Sequence, residues 1–193
     1  MNAFEDCVAR GGVALFPADT VYGLAAAADS AEGVRRLYEI KGRPQDRPAA
    51  VMFFQLQEAL AALPELGPRT RGALELLLPG PVTLVLPNPQ GRFPLACGPA
   101  PERLGLRVPD VPALADVRTP VLQSSANPSG GADARRLGDV DPRIREQVDL
   151  VLDGGELPGT PSTVVDLTGF EDAGEYEILR QGALPAEALA GLG

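Results

Sequence analysis

PVLQSSANPSGG (120–131) carries the change from apolar to polar on which the reading of this chain turns. Val121 and Leu122 head a short run, 120–124, that reads as a buried strand. Residues 124–131 then lay hydroxyls, an amide and glycines along the loop that follows. A polar cluster directly after a strand suits a site at the carboxyl edge of a sheet. By composition alone the same stretch reads equally as a solvent loop rich in turn formers.

A second polar motif, KGRP (41–44), stands earlier in the chain. Asp29 and Glu32 have capping-box spacing, and Val34, Leu37 and Tyr38 form an apolar stripe. The helix they predict ends near Lys41, with Gly42 past the end and Pro44 beyond it. A lysine there complements the helix dipole, so the motif has an ordinary helix-stop reading. Its functional reading requires Lys41 and Arg43 to point into a cleft. Cations beside a hydroxyl-rich loop supply the charge and convergent donors that polyphosphate oxygens require. Neither a GxxxxGK[ST] nor a GxGxxG sequence occurs, so any nucleotide is held by another scheme.

The rest of the chain frames these motifs. The first ten residues read as a helix stopped by Gly11-Gly12, followed by a strand at 13–16. PADTVYGLAA (17–26) reads as a strand-to-helix turn with Thr20 as a cap. Further strands are expected at 50–54, 82–87, 104–108, 148–153, 162–167 and 176–181. Helices are expected at 55–63 and at 68–78, the latter started by Pro68, and a helical reading is given to 137–148. A helical turn is expected around 111–117. Strands alternate with helices first and crowd together later, which predicts an α/β or α+β fold with a twisted, mixed sheet.

The 193 residues suit one domain, 1–193, and 45% hydrophobic content can furnish its core. With 22 Gly and 20 Pro, many short, shaped loops are expected. The net charge of −9 argues against a protein that coats a nucleic-acid backbone. There is no histidine, and Cys7 and Cys97 have no metal-ligand spacing. Zinc sites of the usual kind and Ser-His-Asp chemistry are therefore excluded. The cysteines read as small buried hydrophobes of a reducing compartment. No segment has the apolar length of a membrane span, and Glu5 and Asp6 precede any long apolar stretch. A cytoplasmic protein without a membrane partner is expected.

PADTVYGL, KGRP, PGPVTLVLP, GLRVPD, SSANPSGG, DGG, STVVDL and ILRQGAL occur in the order seen in the YrdC/TsaC family. The chain resembles that family of L-threonylcarbamoyladenylate synthases from about residue 10 to residue 184. The resemblance implies an α/β domain with a twisted mixed sheet around a concave, positively charged cavity. It implies ATP, L-threonine and bicarbonate as substrates, and threonylcarbamoyl-AMP and pyrophosphate as products. ATP would bring its own Mg²⁺, with no zinc, flavin or nicotinamide and no protein metal site. The product would supply the N6-threonylcarbamoyl group of adenosine 37 in tRNA, transferred by other proteins, the tRNA threonylcarbamoyl transferase complex. Carried over by position, Lys41, Arg43, Ser125, Asn127 and Arg180 would hold ATP, the first four as the catalytic set. Thr20, Tyr22, Arg107 and Ser162 would hold threonine, Arg107 by its carboxylate. Some relatives carry a further C-terminal domain, and the length here implies the single-domain form. The chain departs from the family at Ala18, at Arg47-Pro48-Ala49, at Met52 where many members have histidine, and at Gln123 where a hydroxyl is usual. Those departures leave room for a paralogue with another acceptor. A module for double-stranded RNA binding or ribosome assembly, or weak RNA binding beside catalysis, is the alternative of a different class.

Overall fold

A computed structural model describes residues 3–192. One nine-stranded sheet runs through them. Its strands are β1 (Ala14–Pro17), β2 (Tyr22–Ala27), β3 (Ala50–Met52), β4 (Val82–Pro87), β5 (Arg103–Arg107), β6 (Val121–Ser125), β7 (Leu150–Val151), β8 (Thr163–Asp166) and β9 (Glu177–Arg180). They lie in the order β7-β1-β2-β6-β3-β5-β4-β8-β9. The pairs β1–β7, β3–β5 and β4–β8 are parallel and the others antiparallel. The sheet is therefore mixed, as the element pattern predicts.

Side chains alternate across a strand, and here the two faces have different fates. Leu15, Leu24, Leu122, Val51, Leu106 and Leu84 project to one face and join the main core. That face is closed by α2 (Ala31–Lys41), α3 (Leu56–Ala62) and α4 (Pro68–Leu77). The opposite face is covered only at one end, where α1 (Ala3–Ala9) packs on β1 and β2. Phe4, Phe16 and Phe54 meet there edge to face, with centroids 5.2–6.5 Å apart. Burying each such ring stabilises by roughly 1.5–3 kcal/mol. Beyond this cluster the second face is open. Its central row runs Ala25, Gln123, Ala50, Gly105 and Val85 across five strands. Small residues there leave a hollow where a large side chain would fill it.

Three local expectations are corrected. PADTVYGLAA does not turn into a helix: 17–22 closes a β1–β2 hairpin, and β2 lies inside the sheet, all six residues buried. Alanines favour helix in isolation, but pairing on both edges overrides that preference. The cap of α2 is Ser30, not Asp29, and its hydroxyl accepts from the Gly33 amide at 3.1 Å. The segment 137–148 is broken into a 3-10 turn at Leu137–Asp139 and a short helix α6 (Pro142–Arg145), because Pro142 restarts the chain. Two short helices not expected from the sequence, α5 (Pro94–Cys97) and α7 (Phe170–Ala173), complete the set. No helix among the described residues is long and apolar enough to cross a membrane.

Candidate active site

The hollow on the open face is a cavity of about 240 Å³. Its lining includes Thr20, Arg43, Arg107, Ser125, Ser162 and Arg180, six of the nine residues expected to bind substrates. They come from separate places: the β1–β2 turn, the segment after α2, the ends of β5 and β6, the residue before β8, and the end of β9. Strand ends and their loops thus converge where the helices leave the sheet uncovered.

Helix α2 positions the cations. Its buried stripe of Val34, Leu37 and Tyr38 docks it on the sheet. Gly42 then ends it in the left-handed region at φ 60°, with the amides of Gly42 and Arg43 closing on Glu39 and Tyr38. That reversal separates the two cations. Arg43 passes over the Tyr38 ring, 5.8 Å from its centroid, and reaches the cavity, donating to the Pro48 carbonyl at 2.6 Å. Lys41 turns inward and is buried. Its ammonium donates to the Ser125 carbonyl, to the Asn127 carbonyl at 2.8 Å and to Asn127 Oδ1 at 3.2 Å. Burial, with Arg43 close by, lowers its pKa to about 8.

Asn127 is equally engaged. Its amide donates to the Gly131 carbonyl, and its Oδ1 accepts from Ser125 Oγ at 2.5 Å as well as from Lys41. The Ser129 amide donates back to the Lys41 carbonyl at 3.0 Å. Lys41 and Asn127 therefore form the frame beneath the 125–131 loop, while Ser125 and Arg43 face the cavity above it. Tyr22 is not brought to the cavity. Alternation along β2 sends it to the opposite face from Gly23, where its hydroxyl donates to Asp153 Oδ1 at 2.9 Å and accepts from the Gly154 amide.

At the cavity floor Arg107 is buried among polar groups. Its Nη2 donates to Asp19 Oδ1 at 2.7 Å and lies 3.4 Å from Thr20 Oγ1; its Nη1 lies 3.4 Å from Gln123 Oε1. Asp19 Oδ2 and Arg107 Nε are buried without a hydrogen-bond partner among the described residues. Burial pushes the Asp19 carboxyl up and the Arg107 guanidinium down, each against the other's charge. At the β8–β9 wall, Arg180 donates twice to the Ser162 carbonyl, at 2.7 and 3.2 Å. Ser162 Oγ sits 2.9 Å from Thr83 Oγ1.

Thr83, Asp19 and Asp133 were not singled out by the sequence motifs, yet Thr83 and Asp133 line the cavity and Asp19 holds its central arginine. The signal for Thr83 was present. In VTLVLP the buried positions are Val82, Leu84 and Leu86, so Thr83 is the polar residue on the other face. Gln123 also lines the cavity, whereas Met52 is fully buried with Phe16 and Val121.

An adjoining hollow of about 330 Å³ shares Pro48, Ala49, Ala50, Thr83 and Val164 with the cavity. It continues over Val85, Gly105, Cys97 and Leu179 and is mostly apolar. The arrangement can seat a ligand with anionic groups and an attached apolar ring.

The family described as telomere recombination, Sua5/YciO/YrdC, matches residues 6–182. The chain is 29% identical to the threonylcarbamoyl-AMP synthase of Pyrococcus abyssi, covering 94% of this chain and 54% of that protein. It is 32% identical to the Homo sapiens threonylcarbamoyl-AMP synthase, covering 89% and 63% respectively. The structure of P. abyssi Sua5 complexed with L-threonine superposes with a TM-score of 0.85 at 29% identity, over 98% of this chain and 56% of that one. The chain spans about half the length of its P. abyssi relative. With that match running through every segment that builds the cavity, this chain belongs to the Sua5/YciO/YrdC family.

Proposed function

We propose that this protein joins L-threonine, bicarbonate and ATP into threonylcarbamoyl-AMP, releasing pyrophosphate. The observation that carries the reading is the convergence of Arg43, Arg107 and Arg180 on one cavity that also presents the hydroxyls of Thr20, Thr83, Ser125 and Ser162. Three cations around a hydroxyl-lined hollow suit a substrate set rich in carboxylate and phosphate oxygens. Relatives named threonylcarbamoyl-AMP synthase support the same chemistry.

The steps ask little of acid–base groups, which agrees with a chain that has no histidine. The threonine amine adds to CO2 derived from bicarbonate and loses a proton, giving a carbamate. A carbamate oxygen attacks the α-phosphorus of ATP, and the bond to the bridging oxygen breaks as pyrophosphate leaves. Such nucleotidyl transfer is chiefly a matter of alignment and charge neutralisation. Arg107, with Thr20 beside it, seats the amino-acid carboxylate. Arg43 and the loop framed by Lys41 and Asn127, with Ser125 at its edge, take the phosphates, and Arg180 neutralises charge from the facing wall. The apolar hollow takes the purine.

Asp133 is the only carboxylate among the residues lining the cavity. Mg²⁺ in nucleotide sites commonly uses one or two carboxylates and the substrate's own phosphate oxygens. The donor set fits a Mg²⁺ that arrives with ATP. Asp133 would hold it, and the ion would neutralise phosphate charge. The product then passes to a separate transferase acting on tRNA.

The test is pyrophosphate release from ATP with threonine and bicarbonate each present or omitted, and the product identified by mass. Release that requires both, with a threonylcarbamoyl-AMP mass, is the expected result. ATP binding with no threonine-dependent turnover overturns it and favours another acceptor. Gln123 and Met52, the departures in and beside the floor, are the observations behind that second reading.

A further inference from the structure

Residues 44–48 are exposed, yet they decide where Arg43 points. The Arg43 guanidinium donates to the Pro48 carbonyl at 2.6 Å, and its Nε is buried without a hydrogen-bond partner among the described residues. Two hollows adjoin the segment. The apolar one described above takes in Pro48 and Ala49, and another of about 510 Å³ takes in Gln45 and Asp46. Support comes from the Tyr38 hydroxyl, which donates to the Arg47 carbonyl at 2.6 Å, and from the end of α5. There the Ala49 amide donates to the Ala96 carbonyl at 2.9 Å, and Gly98 lies directly against Asp46 and Pro48. A Cβ at Gly98 would come within 2.4 Å of the Asp46 carbonyl oxygen and 3.0 Å of the Pro48 nitrogen. Both are backbone atoms, so only a shift of the segment would make room. The loop carrying Gly98 is itself tightly fixed. Buried Asn88 donates to the Arg92 and Pro101 carbonyls at 3.0 and 2.8 Å and accepts from the Arg92 amide at 2.9 Å. Phe93 takes a left-handed φ of 50°, costly for a side chain with a Cβ.

We infer that Gly98 is a positioning residue for Arg43. Its missing side chain lets Asp46–Pro48 settle against the end of α5, and the Pro48 carbonyl so placed aims the guanidinium into the cavity. An exposed segment can fix a charge only where something rigid holds it, and a misplacement of about 1 Å is enough to spoil a directional contact. The inference rests on Arg43 taking the phosphates of ATP, as in the proposed function. It adds a task for the strained, closely packed loop 88–101, which lines no part of the cavity itself.

The test is a cycle of calorimetric ATP binding to the wild type, Gly98→Ala, Arg43→Ala and the double variant, with Gly91→Ala as the control. Gly91 lies in the same loop at φ 60°, but a Cβ there would meet nothing within 4 Å. Gly91→Ala therefore carries the backbone strain of Gly98→Ala without the push on the segment. Gly98→Ala should weaken ATP by about tenfold, the loss of one contact to a charged group, while Gly91→Ala stays within about twofold of the wild type. In the Arg43→Ala background, Gly98→Ala should weaken ATP no further. Equal ATP affinity in Gly98→Ala and Gly91→Ala overturns the inference and leaves the proposed function standing. So does a loss that persists when Arg43 is removed. Wild-type ATP affinity in Arg43→Ala overturns the phosphate assignment of Arg43 and the inference with it. If Gly98→Ala does not fold, Asn88→Ser, which loosens the same loop, decides by the same cycle.

Discussion

The two ends of the cavity are built on opposite principles. At the loop end nearly every polar group is already used: Lys41, Ser125, Asn127 and Ser129 bond to one another and to backbone. At the floor end, Arg107 Nε and Asp19 Oδ2 are buried with no hydrogen-bond partner among the described residues. Buried polar groups are normally satisfied. The first end is thus a finished frame that gives the 125–131 loop its shape, and the second leaves buried polar groups open. One motif, KGRP, contributes to both kinds of work through residues two apart, Lys41 for the frame and Arg43 for the open space.

The largest expected effect breaks the frame. Lys41→Met keeps the buried bulk but removes three hydrogen bonds and strands the Asn127 carbonyl, and should destabilise the fold by about 3 kcal/mol in denaturant unfolding. Arg43→Ala, at the rim, should unfold like the wild type while losing ATP affinity. Equal stability losses in the two variants would erase the distinction between the ends.

A pH series sharpens it. With a pKa of about 8, Lys41 is charged at neutral pH and loses its proton above that value, against 10.5 for an ordinary lysine. ATP affinity should fall by about tenfold between pH 7 and pH 9, and Lys41→Arg, which stays charged, should flatten the profile. Stability moves the other way. The folded pKa lies below the unfolded one, so this group favours the folded state increasingly as pH rises from about 8 towards 10.5. A flat affinity profile in the wild type would mean that the phosphates do not feel the Lys41 charge.

The smallest effect concerns the wall between the ends. Thr83→Val removes the hydroxyl that sits 2.9 Å from Ser162 Oγ while keeping the shape of the side chain. A rise in the threonine KM of about fivefold with kcat nearly unchanged is expected, as for one neutral hydrogen bond. No change would assign Ser162 its position through Arg180 alone.

Much of the fold was legible because strands such as VTLVLP and STVVDL carry β-branched residues and punctuation at their ends. β2 was not, since YGLAAA has neither, and only its neighbours make it a strand. The site residues were legible as types but not in their directions. Lys41 and Arg43 look equivalent in sequence, and it is the left-handed turn at Gly42 that sends one inward and the other out. Tyr22 lies in the right motif on the wrong side of its strand. Thr83 was hidden because a lone threonine in a strand is ordinary until its face is known.

Ala50 and Gly105 make the hollow by what they lack, in the middle of a sheet whose chain path is otherwise regular. A Cβ at Gly105 would meet Ala50 only at 3.4 Å, ordinary contact. Capacity and scaffold are therefore separable in this molecule. Successive methyl groups added at those two positions would make the hollow shallower step by step, and a graded set of ligands could be admitted or refused with the nine strands left in register.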